Sequence, residues 1–229
     1  TPFAPRFVFE TDQNVTRVTY IDVDLWFMKS PTPIFDEFED SNKSVLITEH
    51  AYAAEYDKSD TAGIYCVQFM TFYKETGEEV RKWWEKKCID WCFATPEAGR
   101  FGDQKYLDDW ETRFAKSVHI LKDKELALAP WNASRFPLAK AIFYHFHGLR
   151  IMSKTSVNCG YYRLPKATFH RVYKPYFLDL KESIVSLEQI GYLVRPQTSN
   201  DNFLTHNCKK IRRALAALYP FILSAKHKL

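Results

Sequence analysis

The chain has 229 residues, 46% hydrophobic and 26% charged, with a formal net charge of +4. That balance excludes wholesale disorder, leaves room for one sizeable domain or at most two small ones, and is too weakly basic to imply a nucleic-acid partner. Seven glycines stand far apart at 63, 77, 99, 102, 148, 160 and 191, against about sixteen at average usage; with none clustered, neither a dinucleotide fingerprint nor a P-loop can form, and any phosphate must be met by a metal or by side chains.

Residues 17–21 (RVTYI) are β-branched and aromatic and predict a strand that runs straight into Asp22-Val23-Asp24. A loop carrying Pro31 and Pro33 leads to a short acidic helix over 34–38, and 45–48 (VLIT) predicts a second strand. The long aromatic and β-branched run 64–73 predicts a central strand. Over 78–93 the spacing predicts a helix with Val80, Trp84, Cys88 and Trp91 on one face, Trp83 beside them, and Arg81, Lys82, Glu85 and Lys86 towards water. The tryptophans there are expected in the core. A further helix is expected over 101–114, started by Gly102-Asp103, with Leu107, Trp110 and Phe114 as its buried stripe. Short strands are expected at 118–121 and 141–144, the latter ending in His145-Phe146-His147-Gly148. Two amphipathic helices follow, over 176–192 and 207–225, with a polar linker at 195–206. Strands and helices alternate over 15–150, which predicts an α/β layer.

The five cysteines, at 66, 88, 92, 159 and 208, form no C-x-x-C and are odd in number, so reduced thiols in a cytoplasmic setting are expected. Cys88 and Cys92, one helical turn apart, read as packed thiols rather than half a metal site. No apolar run approaches the roughly eighteen residues of a membrane span, and no signal-peptide pattern is visible. The first residue is Thr1 rather than Met, so a processed or truncated chain is expected.

Three clusters can carry chemistry. Asp22 and Asp24 follow a strand, and in a straight strand residues i and i+2 point to one face. They can grip one cation together, or one can take the metal and the other a sugar hydroxyl. Hard oxygen donors suit Mg²⁺ or Mn²⁺, and an imidazole moves the preference towards Mn²⁺. Taken alone, an acidic turn after a strand is the plainer reading. His145 follows an apolar strand, where a histidine is more often a hydrogen-bonded core residue, and His147 competes with it as a ligand. Asp103 and Gln104 stand where a helix is expected to begin; alone, Asp103 reads as an N-cap, and Gln104 is neutral and cannot be a general base. In an open α/β sheet ligands bind beyond the carboxyl ends of strands, where two of these clusters fall.

Together the segments YIDVDLWFMKSPTPIFDE (20–37), GIYCVQFMTF (63–72), GRFGDQKYLDDW (99–110), LALAPWN (126–132) and FYHFHGLR (143–150) resemble a group of bacterial nucleotide-sugar glycosyltransferases that act in cell-surface polysaccharide synthesis. More distantly they resemble the retaining family of glycogenin and the lipooligosaccharide galactosyltransferases. The resemblance covers about residues 1–150 and keeps the family's motif order: D-x-D, D-Q before a helix, H-x-x-G. It implies a GT-A-like mixed sheet flanked by helices with a helical C-terminal region, and a metal-dependent hexosyltransferase using Mn²⁺ or Mg²⁺. The implied donor is a nucleotide diphosphate sugar, with UDP-sugar first, and the acceptor a glycan or lipid-linked glycan. Asp22 and Asp24 match the pair that binds the metal and nucleotide sugar, and His145 the third metal ligand. Asp103 matches the carboxylate that holds sugar hydroxyls, and Gln104 the residue near the anomeric carbon. Trp131 and Asn132 would shape the sugar pocket, and Arg150 would contact the diphosphate. Where Cys66 and Gln68 stand, the closer group carries Asn and a small residue, which leaves donor preference open.

The family places about a hundred residues before its D-x-D, whereas 21 precede Asp22. The implied organisation is therefore a catalytic core over 1–150 lacking its first nucleotide-binding βαβ units, an accessory region over 151–206, and a basic helix over 207–229. The missing front motivates the alternative of a non-catalytic or truncated nucleotide- or glycan-binding domain. In the last segment Ile211, Leu215, Leu218 and Ile222 share a face with lysines and arginines at both ends, a pattern that suits either an anionic membrane surface or packing on the domain.

Overall fold

The computed structural model describes residues 1–193. The expected linker at 195–206 and basic helix at 207–229 lie outside the described residues. The described chain is a mixed α/β fold divided into two compact units, one ending at Phe146 and the next beginning at His147.

In the first unit α1 (Phe3–Thr11) leads to β1 (Arg17–Ile21), β2 (Leu25–Phe27), α2 (Thr32–Asp40), β3 (Val45–Glu49), α3 (Ser59–Ala62), β4 (Tyr65–Tyr73) and α4 (Glu78–Asp90). A 3₁₀ turn (Lys105–Asp109), α5 (Trp110–Arg113), β5 (Val118–Ile120), β6 (Ala127–Leu128) and β7 (Phe143–His145) follow. The strands form two sheets. One has the order β1-β4-β3-β5, with β4 antiparallel to both neighbours and β5 parallel to β3. The other has the order β2-β7-β6, with β7 antiparallel to β2 and parallel to β6.

Alternation along the strands builds a core on each face of the larger sheet. Val45 and Ile47 of β3 face one cluster with Phe9, Val80, Trp84, Leu107, Trp110 and Phe114, so α1, α4 and α5 cover that side. Leu46 faces the other cluster with Ile34, Phe38, Ile142 and Phe143, which brings in α2 and the smaller sheet. Along β4 the alternation slips: Tyr65 and Val67 share the first cluster with Met70 and Phe72, whereas Phe69 joins the second. The slip lies in the interval where the β3–β4 register shifts, between the pairs Leu46–Thr71 and Thr48–Cys66. Gln68 sits inside that interval. Such irregularities re-aim side chains and recur beside functional sites.

Several expectations are corrected here. The helix expected over 101–114 is two short pieces, because Gly102 adopts a left-handed backbone (φ +53°) and the chain turns before Lys105. The helix of 78–93 stops at Asp90, so Cys92 lies exposed beyond its end, with its thiol still beside that of Cys88. Arg81 does not face water. It is 2% exposed, and its guanidinium meets Glu78 through two bonds of 2.6 and 2.7 Å and also meets Glu85. Carboxylates three and four positions away satisfy the fork, and that makes burial of the charge tolerable. The strand expected at 141–144 is shifted to Phe143–His145, so His145 is its last residue.

In the second unit, β8 (Arg150–Ser153) and β9 (Ser156–Asn158) form an antiparallel hairpin. Helix α6 (Lys166–Thr168), a π-helical turn (Phe169–Tyr173) and α7 (Lys174–Gln189) run on continuously behind it. Val172, Tyr173 and Ile184 are the buried positions of that stretch. No helix among the described residues is long and apolar enough to cross a membrane.

Candidate active site

Strands β1, β3 and β5 point the same way in the larger sheet, and their carboxyl ends lie beside the amino end of β4. Asp22 and Asp24 leave the carboxyl end of β1, but not as a straight strand. The Leu25 amide donates to the Asp22 carbonyl (3.2 Å), closing a turn whose tip, Val23, is fully exposed. This turn carries the chain from the larger sheet into the smaller one. The expectation that strand geometry places both carboxylates on one face is thus replaced by a turn that does the same work.

The turn is pinned at both ends. The Asp22 amide donates to the Gln68 carbonyl (2.9 Å) on β4, and the Asp24 carbonyl accepts from the Phe146 amide (2.9 Å) just after β7. Because Leu25 pairs with His145 across β2 and β7, the ring of His145 is delivered to the two carboxylates. Its Nε2 lies 3.1 Å from Asp24 Oδ1 and 3.9 Å from Asp22 Oδ2. One ligand atom from each of the three residues lies within 4.8 Å of the others. Donors about 2.1 Å from an octahedral ion stand about 3.0 Å apart when adjacent and 4.2 Å when opposite. Two hard carboxylate oxygens and one imidazole nitrogen form a donor set whose chemistry suits a divalent ion such as Mn²⁺ or Mg²⁺.

The surroundings fix each ligand. Tyr20, two positions before Asp22 and on the same strand face, donates its hydroxyl to Asp22 Oδ1 (2.8 Å). The Oδ2 atom is the one nearer His145. Burial pushes the Asp22 carboxyl above the usual carboxylate range; the Tyr20 hydrogen bond and His145 pull it back, and the charges of Asp24 and Asp103 push it up again. Burial likewise pushes the Tyr20 hydroxyl up, reinforced by Asp22. Cys66 on β4 is fully buried, and burial together with the carboxylates of Asp22, Asp103 and Asp24 holds its thiol protonated and unreactive.

Asp103 thus lies within electrostatic reach of the carboxylate pair. Its loop is tied down from two sides. The indole of Trp84, fully buried in the core, donates to the Asp103 carbonyl (2.7 Å). Gln104 donates to the Ala62 carbonyl (2.6 Å), Lys105 to the Ser59 carbonyl (2.8 Å), and Asp108 accepts from the Ile64 amide (2.8 Å). The Asp103 carboxylate lies 3.3 Å from the amino group of Thr1. The loop opens a 3₁₀ turn of five residues capped at Gln104 without a side-chain bond, so Asp103 is not the N-cap of an α-helix.

Trp131 packs edge-on against the His145 ring, with centroids 5.2 Å apart, and donates its indole N–H to the His50 carbonyl (2.9 Å). Asn132 lies one layer deeper. Its amide nitrogen donates to the carbonyls of His50 and Ala127, and its oxygen accepts from the Ala129 amide. These bonds use Asn132 to hold its own loop, while Trp131 backs the His145 ring. Arg150 opens β8 in the second unit.

Sequence reasoning gave no contact at the site to three residues, of which Gln68 stood out only as a departure from the closer group's pattern. Gln68 is completely buried, and its Oε1 stands 2.8 Å from His145 Nδ1. Tyr20 holds Asp22, a contact readable in principle from i,i+2 spacing on a strand. His50, after β3, supplies the carbonyl on which Trp131 and Asn132 converge and stacks on Tyr52 at 4.7 Å; the left-handed backbone of Ala51 (φ +49°) that follows it leaves no sequence signal.

No family model matches the chain. Two curated relatives do, both from Bacillus subtilis (strain 168). The uncharacterized protein YfnD is 29% identical over 205 residues, covering 80% of this chain and 65% of its own length. The uncharacterized protein YfnF is 30% identical over 172 residues, covering 66% of this chain and 56% of its own. The chain thus spans less than two thirds of either relative. Among solved structures, it is similar to a glycosyltransferase involved in glycosylation of the major capsid of PBCV-1, at a TM-score of 0.45 and 12% identity, covering 64% of this chain and 68% of that one. It is also similar to mouse xyloside xylosyltransferase 1 in its apo form, at a TM-score of 0.39 and 12% identity, covering 64% and 63%.

Proposed function

We propose that this chain carries the catalytic centre of a metal-dependent glycosyltransferase that moves a hexose from a nucleotide diphosphate sugar to a glycan or lipid-linked glycan acceptor. One observation carries the reading: carboxylate oxygens of the neighbouring Asp22 and Asp24 and Nε2 of the sequence-remote His145 come together in one small space, with the charge of Asp103 acting on Asp22.

Asp22, Asp24 and His145 would hold Mn²⁺ or Mg²⁺. The ion supplies Lewis-acid chemistry, neutralising charge on the departing nucleotide diphosphate. The chain's own residues do the rest. Asp103, anchored through its backbone by Trp84, accepts hydrogen bonds from hydroxyls of the donor sugar. Gln104, held by the Ala62 carbonyl, lies beside the sugar as a neutral amide and positions it without moving a proton. Trp131 closes one side of the His145 ring and excludes water from it. Asn132 supports the loop that presents Trp131. Arg150 carries over from the resemblance alone as a diphosphate contact. Retention of configuration at the anomeric carbon rests on the same distant resemblance.

The test is turnover of a panel of UDP-, GDP- and dTDP-hexoses with Mn²⁺, scored as hydrolysis and as transfer to glycan acceptors. The expected result is metal-dependent release of the nucleotide diphosphate from at least one donor and its loss in Asp22→Ala. Full activity in that variant would sink the reading.

A further inference from the structure

The three ligand atoms leave one question of chemistry open. An imidazole binds a cation through a nitrogen that carries no proton, so the proton of neutral His145 must sit on Nδ1, and something must hold it there. The residue facing Nδ1 is Gln68, at 2.8 Å through Oε1. Three features fit it to that task. It is completely buried, so water does not substitute for its oxygen. Its amide nitrogen faces Thr48 Oγ1 at 3.3 Å, which turns the amide oxygen towards His145. Its side chain is aimed by the register slip of β4, and its own backbone carbonyl receives the Asp22 amide at 2.9 Å.

We propose that Gln68 is the positioning residue of this centre: it fixes His145 with the proton on Nδ1 and the Nε2 lone pair towards Asp22 and Asp24, and thereby sets the affinity of the chain for a divalent cation. The proposal rests on the metal reading above and goes beyond it, because Gln68 touches neither the ion nor a substrate. The same residue spans the two sheets, binding a metal ligand of each: Asp22 through its backbone and His145 through its side chain. A carboxylate is a common partner for a metal-bound imidazole, and an amide oxygen supplies the same acceptor without adding charge. The reverse orientation of the amide would donate to Nδ1, put the proton on Nε2 and close the site to a cation.

Two measurements on the 1–229 chain test this. In the first, nitrogen-15 NMR of the imidazole is recorded on the wild-type chain saturated with diamagnetic Mg²⁺. The expected signature is a protonated Nδ1 and an unprotonated, ion-facing Nε2; a proton on Nε2 overturns the proposal. In the second, Mn²⁺ affinity is measured by calorimetry and by electron paramagnetic resonance for wild type, Gln68→Met and Gln68→Glu. Gln68→Met keeps the volume but removes the acceptor, and affinity falls about 10- to 100-fold. Gln68→Glu keeps an acceptor and restores binding to within a few-fold of wild type. A structural role alone would tie affinity to volume, so equal affinity in wild type and Gln68→Met overturns the proposal while leaving the metal reading intact. If the wild-type chain binds no Mn²⁺ at millimolar concentration, the metal reading itself falls. The NMR measurement needs no variant, so a variant that fails to fold does not leave the question open.

Discussion

The first unit contains two buried histidines beside carboxylates, and they differ in kind. His119, on β5, places Nε2 2.7 Å from Glu37 Oε1, and that same oxygen also accepts the Lys122 amide at 2.8 Å. One carboxylate serves one ring and one backbone donor, and the local demand is met. His145, on β7, faces two carboxylates from a turn on another strand, with an amide oxygen on its far nitrogen. A pair such as His119–Glu37 joins α2 to the sheet edge. A cluster such as Asp22–Asp24–His145 brings two carboxylates to one imidazole, and under the proposed function this is where a divalent cation would bind.

The largest test of that contrast is Asp24→Ala or His145→Ala set against His119→Gln. Either ligand variant should cut Mn²⁺ affinity and donor turnover by more than about a hundredfold, since neighbours of a metal ligand alone are worth 10- to 100-fold. His119→Gln should leave both unchanged. If His119→Gln also abolished Mn²⁺ binding, the distinction between the two histidines would collapse.

Next in size is Trp84. Its loss to alanine removes a fully buried indole stacked on Phe72 and edge-on to Trp110, and should cost about 3–5 kcal/mol in denaturant unfolding. Trp84→Phe keeps much of the packing but loses the bond to the Asp103 carbonyl. Transfer should then fall more than Mn²⁺ affinity does, because Asp103 serves the sugar and not the ion. A larger loss in Mn²⁺ affinity than in transfer would place Asp103 with the metal ligands instead. For His119→Gln, the lost charge-assisted bond should lower stability by about 1–2 kcal/mol, read from the shift of the urea midpoint.

The smallest effect is also the most diagnostic of a functional carboxylate. Because the folded protein raises the Asp22 pKa above its ordinary value of 3.8, the native state keeps that proton over a pH window in which the unfolded chain has lost it. Stability from this group therefore falls as pH rises from 3.8 through the raised folded value, and the penalty is complete at neutral pH. Asp22→Asn removes the penalty and keeps an acceptor for Tyr20. Its thermal midpoint at pH 7 should equal or exceed that of wild type, and the gap should close at pH 3, while Mn²⁺ binding is lost. A destabilised Asp22→Asn would mean that the ionised carboxylate holds the fold together.

Much of this was legible in the sequence, for reasons that differ between residues. β1 is found at its expected bounds because RVTYI is rich in β-branched and aromatic residues. β4 is found because eight of its nine residues are apolar, aromatic or β-branched, Gln68 being the exception, which suits a strand buried on both faces. The convergence of Asp22, Asp24 and His145 followed from motif order, not from local propensity; the local argument for the aspartates was wrong in form, since a turn and not a strand brings them together. Gln68 stood out only as a departure from the closer group's small residue; its contact with His145 stayed hidden because it arises from a three-dimensional register slip. Arg81 misled because periodicity sees charge and cannot see the two glutamates that enclose it. The hairpin at 150–158 was missed because its short strands, RIMS and SVN, are mostly polar.

The turn between β1 and β2 has a mechanical consequence. Asp22 is fastened to one sheet, while Asp24 and His145 are fastened to the other. An ion held by all three would act as a rivet between two plates that already meet through apolar packing and the Gln68–His145 contact. Loading it would then harden the unit against heat in proportion to the logarithm of ion concentration, and the melting curve of the protein would double as a titration of its active site.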